Sequence, residues 1–492
     1  MTSNNLKTVS VIFFILGFGA FALLNIIPAL ITFMISFQDY SPLRGFLGSP
    51  WVGLIHFSNF EFFALVSLFG NSIILSLIPA ILAIIIAIPA ARIVGGMAQG
   101  KLRSAITIAL LLPAFIPDSF VVVLVSRLTL INPDSFRLIV IMLSSIRLAS
   151  ICAFVGANAA GMYRDRGQNI LSGAVSGVIV GSAINFVGFL STNPEYIQLI
   201  TFSVADTFDT FAFRIGMMHM NFSAASVAWI IKTIMQLFTA ILVSIIVYSC
   251  MHSNRGEANS LSEGDNAAPS ILIASVPVIV FIVCLVLPNV VTQTAPFDVL
   301  YEVLSSAVIN NIIITVLSAI VFSALLFIIA SWYCININKR AALIVLLLSA
   351  AIINNLAGEL LYFRSLGILN TYFAPVFANA FNLSFVLAAA YLAKLKNPDI
   401  NTFGKLISSI FPYIIAFCGV YIANTWGSSF YQILYLMSQS HWGLGMWLSR
   451  PMELVNTTAP INSLVLWITV PVFLITAATA LVYVLIEKKT SE

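Results

Sequence analysis

Few side chains in this chain can do chemistry, and most of them sit where a polar group is costly. Asp118, Arg127, Arg147, Asn185, Lys232, Asn354, Asn355 and Glu359 fall inside otherwise apolar runs. In lipid such groups must face a bundle interior or one another. Each fits two roles, internal hydrogen bonding or the lining of a solute path. Asp206, Asp209 and Arg214 lie together just after one run, where a carboxylate can accept from a sugar hydroxyl or staple its own segment. Trp426, Tyr431, Tyr435, Trp442 and Trp447 offer aromatic faces, which suit the C–H surface of a sugar and equally the membrane interface. These are groups that bind, so the reading is of a protein that is not an enzyme and carries no cofactor.

Two patterns with catalytic or ligand associations fail on inspection. Cys152, Cys250, Cys284, Cys334 and Cys418 lie in or beside apolar runs, with no C-x-x-C spacing and no clustering with the four histidines. Neither a disulfide nor a metal site is expected. "GGMAQGKL" (Gly95–Leu102) contains G-x-x-x-x-G-K, but Leu102 stands where Ser or Thr must reach magnesium and no strand precedes it. It reads as a basic loop, and the chain as having no nucleotide site of its own.

The elements that position these groups are helices in a membrane. The chain is 60% hydrophobic and 8% charged, too few charges to cover a water-soluble surface. A helix needs about 20 apolar residues to cross the hydrocarbon, because its backbone groups must be satisfied internally. Such runs fall near 9–37, 70–91, 105–127, 137–160, 170–190, 222–249, 270–291, 307–333, 341–361, 372–393, 403–424 and 460–485. The first follows Lys7, lacks a small-residue cleavage site, and reads as a retained helix. The expected fold is therefore an all-α integral membrane protein of about twelve transmembrane helices.

These divide six and six. Residues 1–249 form a first half, 250–269 a polar linker, and 270–492 a second half. "NSIILSLIPAIL" from Asn71 is echoed by "NNIIITVLSAIV" from Asn310, and a weak internal repeat is common in transporters. Gly173, Gly177 and Gly181 form one helical stripe, expected to admit a close neighbour or a sliding helix.

Placed with the N-terminus inside, the cytoplasmic segments collect Lys7, Arg92, Lys101, Arg103, Arg164, Arg166, Arg255, Lys339, Arg340, Lys394, Lys396, Lys405, Lys488 and Lys489, fourteen of the 22 basic residues. This asymmetry places both termini and the linker in the cytoplasm of a multi-pass plasma-membrane protein. The Pro- and Gly-rich Tyr40–Phe60 is then an external loop with Trp51 at headgroup level.

"FQDYSPLRGFLGSPWVGLIHFSNF" followed by "GNSIILS", then "ALLLPAFIPDSFVVV" (Ala109–Val123) and "VADTFDTFAFRIGMMHMNFSAASVAWIIKTI" (Val204–Ile234), resemble one permease subunit of oligosaccharide-type binding-protein-dependent ABC importers. "LGILNTYFAPVFANAFN" (Leu366–Asn382), "GVYIANTWGSSFYQILYL" (Gly419–Leu436) and "HWGLGMWLSRPM" (His441–Met452) resemble its partner subunit. The resemblance implies a type I importer permease with two subunits fused, moving a carbohydrate. It also implies two protein partners, an extracellular solute-binding lipoprotein and a cytoplasmic ATPase, besides membrane lipid and with no nucleic acid. A permease relative serving as a non-transporting scaffold or sensor is the alternative. The substrate path is then expected among Asn185, Asp206, Asp209, Arg214, Asn354, Asn355, Glu359, Trp426 and Tyr431.

Members of that family carry a cytoplasmic coupling helix of form E-A-A-x-x-x-G in each permease. Here the first position reads "ANAAGMYRDRG", with Asn158 in place of the glutamate and Tyr163, Arg164, Asp165 and Arg166 where small residues belong. The second keeps "NPDI" (Asn397, Pro398, Asp399, Ile400) but continues "NTFGKL" through Phe403 and Lys405, too short for the motif. An ATPase that docks here is expected to be divergent. The orientation is checked by a Ser260→Cys variant: maleimide labelling should require permeabilised cells, and labelling of intact cells would reverse the topology.

Overall fold

The computed structural model describes residues 3–60, 62–120, 136–193, 206–253, 267–291, 301–336, 338–353, 355–449 and 460–491. Among them the chain is helical, with a single isolated bridge between Gln38 and Trp51. Long apolar runs with no water to satisfy them leave the backbone no other arrangement. α1 (Leu6–Ile35) crosses with a π-helical turn at Ala22–Ile26 just before Pro28. The Tyr40–Phe60 segment then folds back on itself. Asp39 N–H donates to Pro50 O, Val52 N–H donates to Phe37 O, and Gly45 and Gly53 turn the chain at positive φ. Ser223 fastens it, its hydroxyl donating to Gln38 O and accepting from Tyr40 N–H at 2.6 and 3.1 Å. Leu43, Leu47, Trp51 and Leu54 stay exposed.

α2 (Phe62–Gly95), α3 (Lys101–Leu110), α4 (Phe136–Asp165) and α5 (Ile170–Val187) follow. Next come the short α6 (Phe208–Phe213), then α7 (Phe222–Ser253) and α8 (Ala267–Val291). The remainder comprises α9 (Tyr301–Ile335), α10 (Lys339–Ile352), α11 (Leu356–Ser365), α12 (Phe373–Ala378), α13 (Leu383–Lys396), α14 (Phe403–Gly427), α15 (Phe430–Tyr435), α16 (Leu444–Ser449) and α17 (Pro460–Ser491). Nine helices among the described residues are long and apolar enough to cross a membrane, or ten if α10 and α11 count as one bent span.

The difference from twelve lies in three interrupted runs. In the run expected at 105–127, α3 stops at Leu110 and a 3₁₀ turn covers Leu112–Phe115. Pro113 and Pro117 lack the N–H that would continue an α-helix, and residues 121–127 lie outside the described residues. The run expected at 341–361 turns by 83° between α10 and α11, and the Asn355 side chain restarts the helix by accepting from Gly358 N–H at 3.3 Å. The run expected at 372–393 breaks between α12 and α13, where Asn382 caps by accepting from Phe385 N–H at 3.3 Å. Hydropathy is blind to such restarts, because a cap changes one residue and not the window's mean.

Packing joins early and late helices. α1 lies on α9 and α8 on α2; α7 lies on α10 and α17 on α3; α11 packs against the end of α1 and α8 against the 112–115 turn. The glycine stripe of α5 fits α4 closely. A Cβ at Gly177 would fall 2.7 Å from the Gly156 Cα, at Gly173 2.8 Å from the Ala160 Cα, and at Gly181 3.2 Å from the Cys152 Cα. Backbone stands in the way at all three, so the stripe is a helix-packing seam. Gly177→Ala should destabilise the protein by about 1–3 kcal/mol, the usual cost of overpacking. Gly404→Ala, with open space at its Cβ, should leave the melting temperature in detergent unchanged or higher. Equal melting of both variants would refute the seam.

Candidate functional site

The three interruptions converge. A cavity of about 450 Å³ is lined by Ala114 and Asp118 at the first, Ala350 and Ile353 at the second, and Asn379, Phe381 and Asn382 at the third. The ends of α5 and α14 reach the same space through Gly188, Ser191 and Ser428. Irregular backbone at membrane depth is tolerated where it lines a polar cavity, which is what the breaks do here.

One charged cluster organises this cavity. Arg147 of α4 pairs through Nη1 with the Asp118 carboxylate, both side chains being mostly buried at 15% and 19% exposure. Its Nη2 donates to Asn424 Oδ1 of α14 at 2.7 Å. The Asn424 Nδ2 then donates to Ala114 O at 2.8 Å and to Val420 O at 2.9 Å. The cluster thus satisfies a carbonyl freed by the first break and ties α4 to α14. Among the described residues of the lining, these two charges are paired with each other.

Amide, hydroxyl and aromatic groups share the rest of the lining with aliphatic side chains such as Leu75, Ile151 and Ile184. Asn185, Asn379 and Asn382 face it, as do Phe381, Tyr421 and Tyr431. Tyr421 is held by donating to Asn379 O at 2.9 Å and by stacking on Phe322 with ring centroids 3.9 Å apart. Amides donate and accept at once, and aromatic rings cover C–H surface. A solute in this space would meet both hydrogen-bonding groups and apolar surface.

Of the residues expected to form a path, Asn185 and Tyr431 line the cavity. The others are placed elsewhere. Asp206 pairs with Arg214 and accepts from Thr210 Oγ1 at 3.1 Å. Asp209 pairs at 2.5 Å with Lys232, whose side chain is fully buried, and accepts from Thr192 N–H at 2.8 Å. These bonds staple the start of α6 to α7 and to the end of α5. Asn355 accepts from Thr32 Oγ1 at 2.7 Å, and Glu359 accepts from Tyr435 OH at 2.9 Å, joining α11 to α1 and α15. Trp426 Nε1 donates to Trp467 O at 3.1 Å, while Tyr435 and Trp442 are buried and so are not interfacial anchors. Asn354 lies outside the described residues.

Asn424 was not singled out by sequence, although "GVYIANTWGSSFYQILYL" contains it. The signal was "PAFIPD" (Pro113–Asp118), two prolines ahead of an acid inside an apolar run, which announces a break needing a polar partner.

At the basic-residue face, the segments read as degenerate coupling motifs are short connections. α4 ends at Asp165 and α5 begins at Ile170. Between them Gly167 takes positive φ, Gln168 N–H donates to Tyr163 O at 2.8 Å, and Asn169 caps α5. Tyr163 is buried and Arg164 occupies the last turn of α4. Arg103 donates to both Asp165 oxygens at 3.0 and 2.7 Å. The Arg166 guanidinium donates to the carbonyls of Leu395 and Lys396 at the end of α13, and Lys396 pairs with Glu487 at 3.0 Å. Further on, Asn397 donates to Ser409, Pro398 O accepts from Lys394, and Asp399 lies in the exposed link. Phe403 meets the Phe327 ring, and the Lys405 N–H donates to the Thr402 cap at 3.3 Å.

Comparison of the chain with protein-family models, curated proteins and solved structures found no match.

The Asp118–Arg147 pair is open to a direct check. Arg147→Gln leaves a buried carboxylate uncompensated and should cost about 3–5 kcal/mol. Adding Asp118→Asn should recover much of it, since both charges are then gone. Additive losses in thermal melts of the two single variants and the double variant would dissolve the cluster.

Proposed function

We propose that the chain is the membrane permease of a carbohydrate importer, with two permease units fused and the cavity between them serving as the substrate compartment. The observation that carries this reading is the cavity at the meeting point of three helix breaks, where amides, hydroxyls and aromatic rings are gathered and Asp118 and Arg147, the charged residues among the described lining, are paired. Two further features support the fused arrangement. α2 and α9 start at Phe62 and Tyr301, 239 residues apart; α3 and α10 at Lys101 and Lys339, 238 apart; α7 and α17 at Phe222 and Pro460, again 238 apart. The packing is also reciprocal, with α1 on α9 answered by α8 on α2, and α7 on α10 answered by α17 on α3. A pseudo-two-fold relation between two six-span units generates both regularities.

In this reading the protein sits in the plasma membrane with both termini cytoplasmic. It takes a sugar from an extracellular binding lipoprotein, and a divergent ATPase drives it. The second reading, a permease relative acting as a scaffold or sensor without an ATPase, is favoured by one observation. The connections at 166–169 and 397–402 bear no projecting helix, and Arg166 binds across to α13. Arg164 and Arg166 pushed into an apolar docking groove would carry a desolvation cost of several kcal/mol.

The two readings separate in reconstitution. Radiolabelled oligosaccharides should bind the chain in nanodiscs, and Asn382→Leu should weaken binding about tenfold by removing hydrogen bonds inside the cavity. Failure of every sugar to bind would refute the carbohydrate compartment. A standard importer ATPase should not associate stably with the unmodified chain; tight association with sugar-stimulated hydrolysis would refute altered coupling.

A further inference from the structure

On the basic-residue face a second cavity, of about 540 Å³, opens between α3 and α4 on one side and α14 and α17 on the other. It is distinct from the mid-membrane compartment, sharing none of the residues that line it. Lys101, Arg103, Arg166 and Lys396 line it, against the carboxylates of Asp165 and Glu487. Those acids are matched by Arg103 and Lys396 respectively. Among the described residues the charges of Lys101 and Arg166 therefore remain in excess, and Arg166 meets neutral carbonyls there.

The start of α3 enters the same space. Gln99, Gly100 and Lys101 line it, and no side chain caps the helix at Gly100. The free N–H groups of the first turn carry the positive end of the helix dipole. A second observation points independently to a missing acceptor. Tyr413 lines this cavity, is 1% exposed, and its hydroxyl has no hydrogen-bond partner among the described residues. Its neighbour Tyr483 by contrast donates to Asn158 Oδ1 at 3.0 Å. The hydroxyl opens into the cavity and is free to donate there, and an anion's oxygen would accept.

We propose that this vestibule binds a phosphate-bearing anion, held by the α3 N-terminus, Lys101, Arg166 and the Tyr413 hydroxyl. Gly100 and Lys101 end the G-x-x-x-x-G-K pattern. The pattern lacks the strand and the magnesium-binding hydroxyl of a nucleotide cradle, but it keeps a glycine and a lysine at a helix start, where backbone N–H groups meet anions. The ligand would touch helices from both ends of the chain, so occupancy should bind them together. Its source is either a soluble phosphate compound or an anionic lipid headgroup.

The full-length chain in detergent provides the test. Sodium pyrophosphate should raise the melting temperature beyond sodium chloride at equal ionic strength if the source is soluble. If it is lipid, native mass spectrometry should retain phosphatidylglycerol over phosphatidylcholine. Lys101→Gln with Arg166→Gln should abolish whichever selectivity is seen, and Tyr413→Phe should weaken it about tenfold, the loss of one charge-assisted hydrogen bond. Neither selectivity in the unmodified chain, or selectivity that survives the double substitution, overturns the site. Should the double variant melt lower without ligand, Tyr413→Phe decides, and full selectivity in that variant also overturns the proposal.

Discussion

A backbone N–H or C=O in hydrocarbon has no water to fall back on, and the architecture follows from where the chain breaks this rule. Three runs long enough to cross are interrupted, at Leu111–Pro117, at Ile353–Asn355 and at residues 379–382. Each break leaves groups that an α-helix would have paired. Their meeting around one cavity eases the conflict, because Asn424 donates to Ala114 O at the first break and Tyr421 donates to Asn379 O at the third. The cavity and the breaks are thus one feature. Filling the first break with continuous helix would take away the turn that leads to Asp118, the partner of Arg147.

Much of the helical framework was legible from hydropathy, since burying twenty apolar residues leaves little choice of element. The interruptions were less so, although their causes are in plain view: Pro113 and Pro117, Asn355, Asn382. A twenty-residue window averages over a capping asparagine, and the expected count of twelve spans rested on such averages. Within the site, Asn185 and Tyr431 could be chosen as polar or aromatic residues in suitable places. Asn424 could not, because its value comes from Ala114, 310 residues away in sequence. The acids at 206 and 209 were visible in the sequence, but their partners were not ranked there. Their neighbours Thr207, Thr210 and Arg214 supply local partners, and a carboxylate with local partners has little left for a solute.

The echo between Asn71 and Asn310 gains a physical meaning from their bonds. Asn71 Nδ2 donates to Asp206 O at 3.0 Å, and the adjacent Ser72 accepts from Phe208 N–H. Asn310 Nδ2 donates to Ser440 O and Trp442 O at 2.9 and 3.0 Å, and the adjacent Asn311 donates to Trp426 O. In both places a polar pair early in a long helix holds the backbone of an irregular segment that follows another helix's end. Buried backbone groups need such partners wherever regular structure stops. The repeat is easiest to see at these positions because apolar residues between them are interchangeable.

The seating of α1 on α9 bears on how the protein is made. Phe13 meets Phe327, with ring centroids 5.8 Å apart, and Phe18 meets Trp332 at 4.9 Å. α1 thus meets α9 only after roughly 300 further residues, about 15–60 s of synthesis at ordinary rates. Until then α1 is held in lipid by its own apolar face and, at its end, by α7. Two separate polypeptides would have to find each other by diffusion at this point. In one chain the neighbour arrives tethered, in fixed one-to-one proportion, and assembly becomes a matter of waiting rather than of concentration.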